Sequence, residues 1–227
     1  MGNYKDSTLE KLADRGNGNY AYIDTLNEAR KHLVHEMDAT LVTIAKDVKI
    51  QIEFNPAHVG SYRLIGYENR VLTAEDFNDD RKDAGEIGAG HSLTALYEIV
   101  PAGGAAGIDP LKYQQPREST PSTTSGELLT LKLRYKAPDE DTSRLLSYTL
   151  AAGAARASYA AASENFKLAA AVASFAMLLR ESPYKGSTTM ESALELAMEA
   201  TGQDRHGYRA ELLDLIRRAR ELYPLYQ

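Results

Sequence analysis

The segment Val48-Lys-Ile-Gln-Ile-Glu-Phe54 alternates strictly between apolar and polar side chains. Successive side chains of a β-strand point to opposite faces of a sheet, so this period predicts a strand with one apolar and one polar face. Its apolar members are Val48, Ile50, Ile52 and Phe54. Such a strand is typical of an antiparallel sheet that buries only one of its faces.

Four further segments have strand character and are bounded by glycine, proline or polar turns. They are Tyr62–Tyr67, His91–Val100, Leu129–Lys136 and Arg144–Leu150. Pro56 and Gly60 separate the first two strands, which predicts an antiparallel hairpin. The strands together predict an antiparallel β-sandwich-like domain at residues 38–150. Five strands are few for a sandwich, so we expect one open edge through which the chain could form a homo-oligomer.

Helical patterns flank the strands. On the N-terminal side, Ser7-x-x-Glu10 and Thr25-x-x-Glu28 are capping boxes that predict two helices. The first is expected to end at Gly16 and the second near Met37, with a short strand at Asn19–Ile23 between them.

Three helices are predicted in residues 151–227. Ser163 is expected to cap the first, the Thr188-x-x-Glu191 box to open the second, and Pro224 to end the third. The predicted buried residues are Met190, Leu194, Ala197 and Met198 in the second helix, and Tyr208, Leu212, Leu215, Ile216, Ala219 and Leu222 in the third. The predicted fold class is therefore α+β.

The composition excludes several classes of function. The formal net charge of −6 argues against a nucleic-acid phosphate binder, which needs a concentrated basic surface. The chain has no cysteine, so disulfides, thiolate nucleophiles and zinc–thiolate sites are impossible. The longest apolar run, Leu168–Leu179, is too short to span a bilayer, and we expect no membrane contact.

The acidic segment Glu75–Glu86 is the best candidate for a metal site. Its residues Asp76, Asn78 and Asp80 match the first three oxygen ligands of a calcium-binding loop. The pattern then fails, because Arg81 stands where the turn requires glycine and Ile87 where it requires a bidentate glutamate. The three oxygen-bearing residues are weak metal candidates, and a solvated loop is the favoured interpretation.

Two other segments contain residue types used in catalysis. His32-x-x-His35-Glu36 does not follow the order of known zinc motifs. The glycine-rich segment Gly85–His91 precedes a strand, whereas phosphate-binding loops precede a helix. The Pro/Ser/Thr-rich stretch Pro110–Glu127 is typical of a long loop. We therefore predict no catalytic residue and no cofactor.

A family resemblance covers nearly the whole chain. The string GNYKDSTLEKLADRGNGNYAYIDTLNEARKHL resembles the last helix, strand and helix of a von Willebrand factor A domain of the bacterial YfbK-like type. The strings TLVTIAKDVKIQIEFNP, YRLIGYENR, EDFNDDRKDAGEIGAGHSLTALYEIVP and LLTLKLRYKAPDEDTSRLL resemble the C-terminal domain that follows it. The resemblance implies three parts, an A-domain remnant at 1–37, the sandwich-like domain at 38–150 and a helical region at 151–227.

The resemblance also implies where the chemistry lies. An A domain holds a divalent cation through an Asp-x-Ser-x-Ser motif, which these 227 residues lack, so no ligand transfers to a numbered position. The full-length protein is expected outside the cytoplasm, in the periplasm or anchored as a lipoprotein. We expect a non-enzymatic scaffold or protein-interaction module whose partner the sequence does not identify. The alternatives are a carbohydrate- or peptide-processing enzyme with a site in loop 75–91, and a calcium-stabilised structural domain.

Overall fold

The computed structural model describes residues 5–16, 18, 20–66, 71–104, 125–154, 158–200 and 202–222. Helices and antiparallel sheets are both present, which confirms the α+β class. The chain forms two compact units. The first comprises Met1–Val59, Asn69–Leu93 and Asp109–Ala152, and the second comprises Gly60–Glu68, Thr94–Ile108 and Gly153–Gln227. The division at residues 37 and 150 stays a prediction.

Seven α-helices and six strands are described. The helices are α1 (Asp6–Arg15), α2 (Leu26–Arg30), α3 (Met37–Leu41), α4 (Ala74–Asn78), α5 (Glu164–Leu179), α6 (Met190–Glu199) and α7 (Tyr208–Leu222). The strands are β1 (Thr43–Phe54), β2 (Val59–Ile65), β3 (Gly85–Gly88), β4 (Leu96–Pro101), β5 (Glu127–Lys136) and β6 (Arg144–Ala151). A π-helical turn, Lys31–His35, joins α2 to the residue before α3. Among the described residues, no helix has the length and apolar character that crossing a bilayer would require.

The first unit is built on a four-stranded sheet in the order β3-β1-β5-β6. All its neighbouring strands are antiparallel. The predicted hairpin between the first two strands is wrong, because β2 pairs with β4 in a separate two-stranded sheet. The place beside β1 is taken by β5, whose alternation matches that of β1 residue by residue, as in the pair Ile52 and Leu131.

Strand β3 is absent from the sequence prediction, which treats the glycine-rich segment as a loop. Gly85–Gly88 pairs with the first half of β1. A Cβ atom at Gly88 would clash with the backbone carbonyl of Ala39, so glycine lets this strand pass directly beneath α3. The predicted strand from His91 is correspondingly too long, since β4 begins at Leu96.

The N-terminal helices differ from prediction in detail. The Thr25 side chain accepts a hydrogen bond from the Glu28 N–H at 3.2 Å, which confirms that cap. Helix α1 begins at Asp6 after Lys5, without a side-chain cap, and ends at Gly16. The predicted strand at Asn19–Ile23 is wrong over its described residues, 20–23, because no described strand lies beside it to share hydrogen bonds.

Helices α5, α6 and α7 form the buried core of the second unit. Ser163 caps α5 as predicted, whereas α6 uses the box of Thr189 and Ser192, one residue beyond the predicted one. The core residues are Ala171, Leu194, Ala197, Leu213 and Ile216 in one cluster, and Leu178, Met190 and Ala193 in the other. Met198, Leu215 and Leu222, predicted to be buried, are instead exposed. The buried face of α6 is formed by Met190, Ala193, Leu194 and Ala197, and that of α7 by Leu213 and Ile216. Pro224 and residues 110–124 of the predicted long loop lie outside the described residues.

Replacing Ile216 should destabilise the second unit far more than replacing its neighbour. Ile216 is fully buried, whereas Leu215 is 52% exposed. The cavity left by Ile216→Ala should lower the free energy of unfolding by about 2–5 kcal/mol in urea denaturation. Leu215→Ala is the control, expected to change it by less than about 1 kcal/mol. Equal effects of the two substitutions would contradict this assignment of the core.

Candidate functional site

A β-bulge at Asp47 shapes the polar face of the sheet. Lys46 and Lys49 are three residues apart on β1, yet they pair with Lys136 and Arg134, which are two residues apart on β5. The extra residue is accommodated by Asp47, whose φ is 52°, a left-handed conformation that aspartate tolerates better than most residues. The bulge places Lys46 and Lys49 on the same face despite their odd spacing.

Two buried lysines on this face hold the acidic segment 76–80. Lys49 is 2% exposed and donates hydrogen bonds from Nζ to the backbone carbonyls of Asp76 at 3.1 Å and Asp79 at 2.5 Å. Lys136 donates from Nζ to the Asp80 carbonyl at 2.6 Å and to the Asp47 carboxylate at 2.7 Å. A buried ammonium group requires such acceptors, because desolvating it without them is costly. The carbonyls of the loop therefore bind lysine ammonium groups.

A second set of hydrogen bonds joins the loop to the start of β6. The Asp80 carboxylate accepts a hydrogen bond from Ser143 Oγ at 2.5 Å and from the Ser143 N–H at 3.3 Å. Arg134 donates to Ser143 Oγ at 2.8 Å and to Asn78 Oδ1 at 3.1 Å. Its guanidinium also lies 5.5 Å from the ring centre of the buried Phe77. Helix α4 thus packs on the polar face of the sheet.

The three candidate calcium ligands point to different protein groups. Asp76 caps α4 in a capping box with Thr73, while Asn78 and Asp80 accept hydrogen bonds from Arg134 and Ser143. Within the described ranges, no group of three or more histidine, aspartate or glutamate side chains could hold a metal ion. The calcium interpretation stays a prediction, and the geometry of these residues gives it no support.

The carboxylates of this site have lowered pKa values. Burial alone would raise the pKa of Asp47, but hydrogen bonds from Lys136 and the Ala84 N–H outweigh it and bring the pKa below 3.8. The hydrogen bond from the Ser143 hydroxyl is the main cause of the lowered pKa of Asp80. The Arg81 guanidinium lowers the pKa of Asp79 to about 2. All three are therefore charged at neutral pH.

The histidine segment forms a local cluster. His32 lies between two glutamates, with Nε2 2.9 Å from Glu28 and Nδ1 3.1 Å from Glu36. These residues are spaced four apart along one face of the helical segment, so the contacts tie successive turns together. His91 is exposed and its N–H bonds to the Gly88 carbonyl.

The opposite face of the sheet carries a block of apolar side chains that is substantially exposed, with Arg144 at its margin. Strands β1, β5 and β6 align three rows of side chains there, and the rows are Ile50-Leu133-Leu146, Ile52-Leu131-Tyr148 and Phe54-Leu129-Leu150. Their most exposed members are Ile50 at 38%, Leu146 at 39%, Leu150 at 42% and Tyr148 at 57%. We call these nine residues the apolar sheet face. The sheet differs from expectation, because Lys49 and Lys136 are buried on its polar face while much of its leucine-bearing face is exposed. The rest of the polar face, including Ser147 and Thr149, is exposed as expected.

Sequence reasoning identified both faces but missed the two lysines that hold the loop. Lys49 and Lys136 look like ordinary solvent-facing residues of alternating strands. The usable signal lies elsewhere in the chain, in the concentration of acidic residues between 75 and 86, which requires neighbouring cations when it packs on a sheet.

Comparison with known proteins identifies the family. Residues 39–222 match the family model "Uncharacterized protein YfbK, C-terminal". The chain belongs to the YfbK family. It is similar to the uncharacterized protein YfbK of Escherichia coli (strain K12), with 45% identity over 214 residues, which make up 94% of this chain. The match covers 36% of the YfbK relative's length. No solved structure matches the chain.

Removing the Lys49 ammonium should loosen the acidic loop of this YfbK-family chain. Lys49→Met leaves two loop carbonyls without their donor, so the free energy of unfolding should fall by about 1–3 kcal/mol. Lys132→Met, on the same face of β5, is the matched control and should change it by less than about 0.5 kcal/mol. Urea denaturation measures both, and a neutral Lys49→Met would show that the loop does not depend on this contact.

Acid should weaken the loop in a way that depends on Ser143. Groups with lowered pKa contribute full stability above their ordinary value of 3.8 and lose it as the pH falls through their folded-state pKa. Unfolding free energy measured at a series of pH values should therefore fall below about pH 4. Ser143→Ala removes the main donor to Asp80 and brings its folded-state pKa back toward 3.8. The variant should therefore be less stable than the parent chain at neutral pH and lose less stability as the pH falls below about 4.

The control for this substitution is Ser147→Ala, at an exposed position of β6. It should leave the acid profile unchanged. A profile that Ser143→Ala does not alter would contradict the assigned role of the hydroxyl.

Proposed function

We propose that this chain is a non-enzymatic protein-interaction module, the C-terminal scaffold of a bacterial von Willebrand factor A domain protein. The observation that supports the proposal is the sheet, which buries two lysines of its polar face under the acidic loop and offers an apolar face to a partner. Surface patches of this kind mark interaction sites more often than they remain free. The resemblance of residues 2–33 to the end of an A domain supports the second part of the proposal.

The geometry of the acidic loop also supports a non-enzymatic role for this chain. Its carbonyls bind Lys49 and Lys136, and its candidate ligand side chains are hydrogen-bonded to separate groups. A general acid or base must reach a substrate, and a metal ligand must be able to turn toward an ion. In this proposal the loop has a structural role, which is to hold α4 on the sheet, and any divalent cation is bound by the A domain. The proposed location of the full-length protein is the periplasm or the outer side of a membrane.

Titration with divalent cations tests the proposal. We expect calorimetry with calcium, magnesium and manganese to show no stoichiometric binding to this chain. Its melting temperature should also be the same in calcium and in EDTA, because a ligand that does not bind the native state cannot stabilise it. One-to-one binding, lost in Asp80→Asn but kept in the exposed-site control Asp141→Asn, would overturn the proposal and favour a calcium-stabilised domain.

A further inference from the structure

We propose that the apolar sheet face is the docking surface for the N-terminal part of the same polypeptide in a full-length YfbK-family protein. This inference rests on the proposed interaction function and names its partner. The partner is a covalently linked, uncharged β-rich or helical surface that closes the sheet from its open side.

The first step is that this face requires a cover. Its nine side chains are all apolar or aromatic, yet none belongs to the eleven apolar residues that are buried in the described parts of the chain. On the other face of the same strands the acidic segment buries Lys49 to 2% exposure and Lys136 to 8%, while Ser147 and Thr149 stay exposed. A sheet that desolvates lysines and leaves leucines in water forgoes the main driving force of folding, unless another surface completes it.

The second step concerns the identity of the cover. The matching family model describes the C-terminal part of YfbK, and the match spans 36% of the E. coli protein. Most of such a protein therefore precedes the matched region. A segment on the same polypeptide reaches the face at a high effective concentration, so a surface of moderate size can be kept closed.

The segment that leads into the sheet supports the same partner. The helical segment that precedes β1 exposes apolar side chains, among them Leu26 of α2 at 74%, Val34 of the π-helical turn at 65% and Leu41 of α3 at 71%. Both exposed apolar surfaces belong to the first unit. The N-terminal side of the first unit thus also carries apolar side chains that a preceding segment of the polypeptide could bury.

The third step concerns the shape and chemistry of the surface. Nine aligned side chains without a charge suit a second apolar layer, which packs on a sheet at about 10 Å. Nucleic acid and anionic lipid surfaces would require several cations, whereas these nine residues carry none and the neighbouring Arg144 is paired with Glu140.

Site-specific labelling tests the proposal, because the chain has no cysteine of its own. Tyr148→Cys places a thiol on the apolar sheet face, and Thr149→Cys places one on the opposite face of the same strand. Each variant is reacted with a maleimide in this chain alone and in a fusion behind the N-terminal part of E. coli YfbK. Peptide mass spectrometry then gives the labelling rate at each site.

In the fusion, labelling at position 148 should slow by about tenfold or more relative to the chain alone, while position 149 should change by less than about twofold. A cysteine is also introduced in intact E. coli YfbK at the position that aligns with Tyr148, and it is labelled in parallel. This variant guards against a fusion whose two parts do not fit each other. Rapid labelling in both the fusion and YfbK would overturn the proposal.

Two further outcomes would also overturn it. Protection of position 148 in the chain alone that grows with protein concentration would show that a second copy covers the face. Equal protection of position 148 in the chain alone at every protein concentration would show that another part of this same chain covers the face. The cation titration does not depend on these labelling rates, so a failure of this inference can be distinguished from a failure of the non-enzymatic assignment.

Discussion

The ammonium group of Lys49 is the contact on which the first unit depends. It belongs to β1, where Lys49 is 2% exposed, and it donates hydrogen bonds to the backbone carbonyls of Asp76 in α4 and of Asp79 just after it. An ammonium buried this deeply is tolerable only while both acceptors are present. The lysine therefore requires the loop to be packed, and the negatively charged loop gains a cation without a metal ion. The mutual dependence fixes α4 and its continuation on one face of the sheet.

Fixing the loop on the polar face determines what the rest of the sheet can do. Lys136 of β5 and Ser143 just before β6 also donate hydrogen bonds to this segment, both of them to Asp80. Three neighbouring strands are therefore joined to the same short segment. Such polar contacts add little net stability over an apolar equivalent, but they specify one arrangement among several. A leucine-rich face could have packed in many ways, whereas two lysines aimed at particular carbonyls permit one. The apolar side is left for a contact from elsewhere.

The sequence predicts local features well and long-range ones poorly. Strict alternation identifies β1, β5 and β6, and the caps at Thr25 and Ser163 are correct because each depends on residues within a single turn. The pairing of β1 with β5 rather than β2 depends on a competition between distant segments that a hairpin rule does not weigh. Strand β3 is missed because its glycines look like a loop, whereas Gly88 is needed where the strand passes close to the backbone of α3. For the candidate site, a period of two separates the faces of a strand but does not say which face is covered.

The bulge at Asp47 determines which side chains of β1 lie on each face of the sheet. Without the extra residue, the alternation would continue in phase past Lys46, and Val48 rather than Lys49 would share a face with Lys46. Every apolar side chain from Ile50 to Phe54 would then move to the side of the loop, and the lysine would move to the open side. The left-handed conformation of Asp47 costs some energy in itself, and its carboxylate offsets that cost by binding Lys136 and the Ala84 N–H. A single aspartate thus determines which surface of the sheet is presented to a partner, although it lies on the face that no partner would touch.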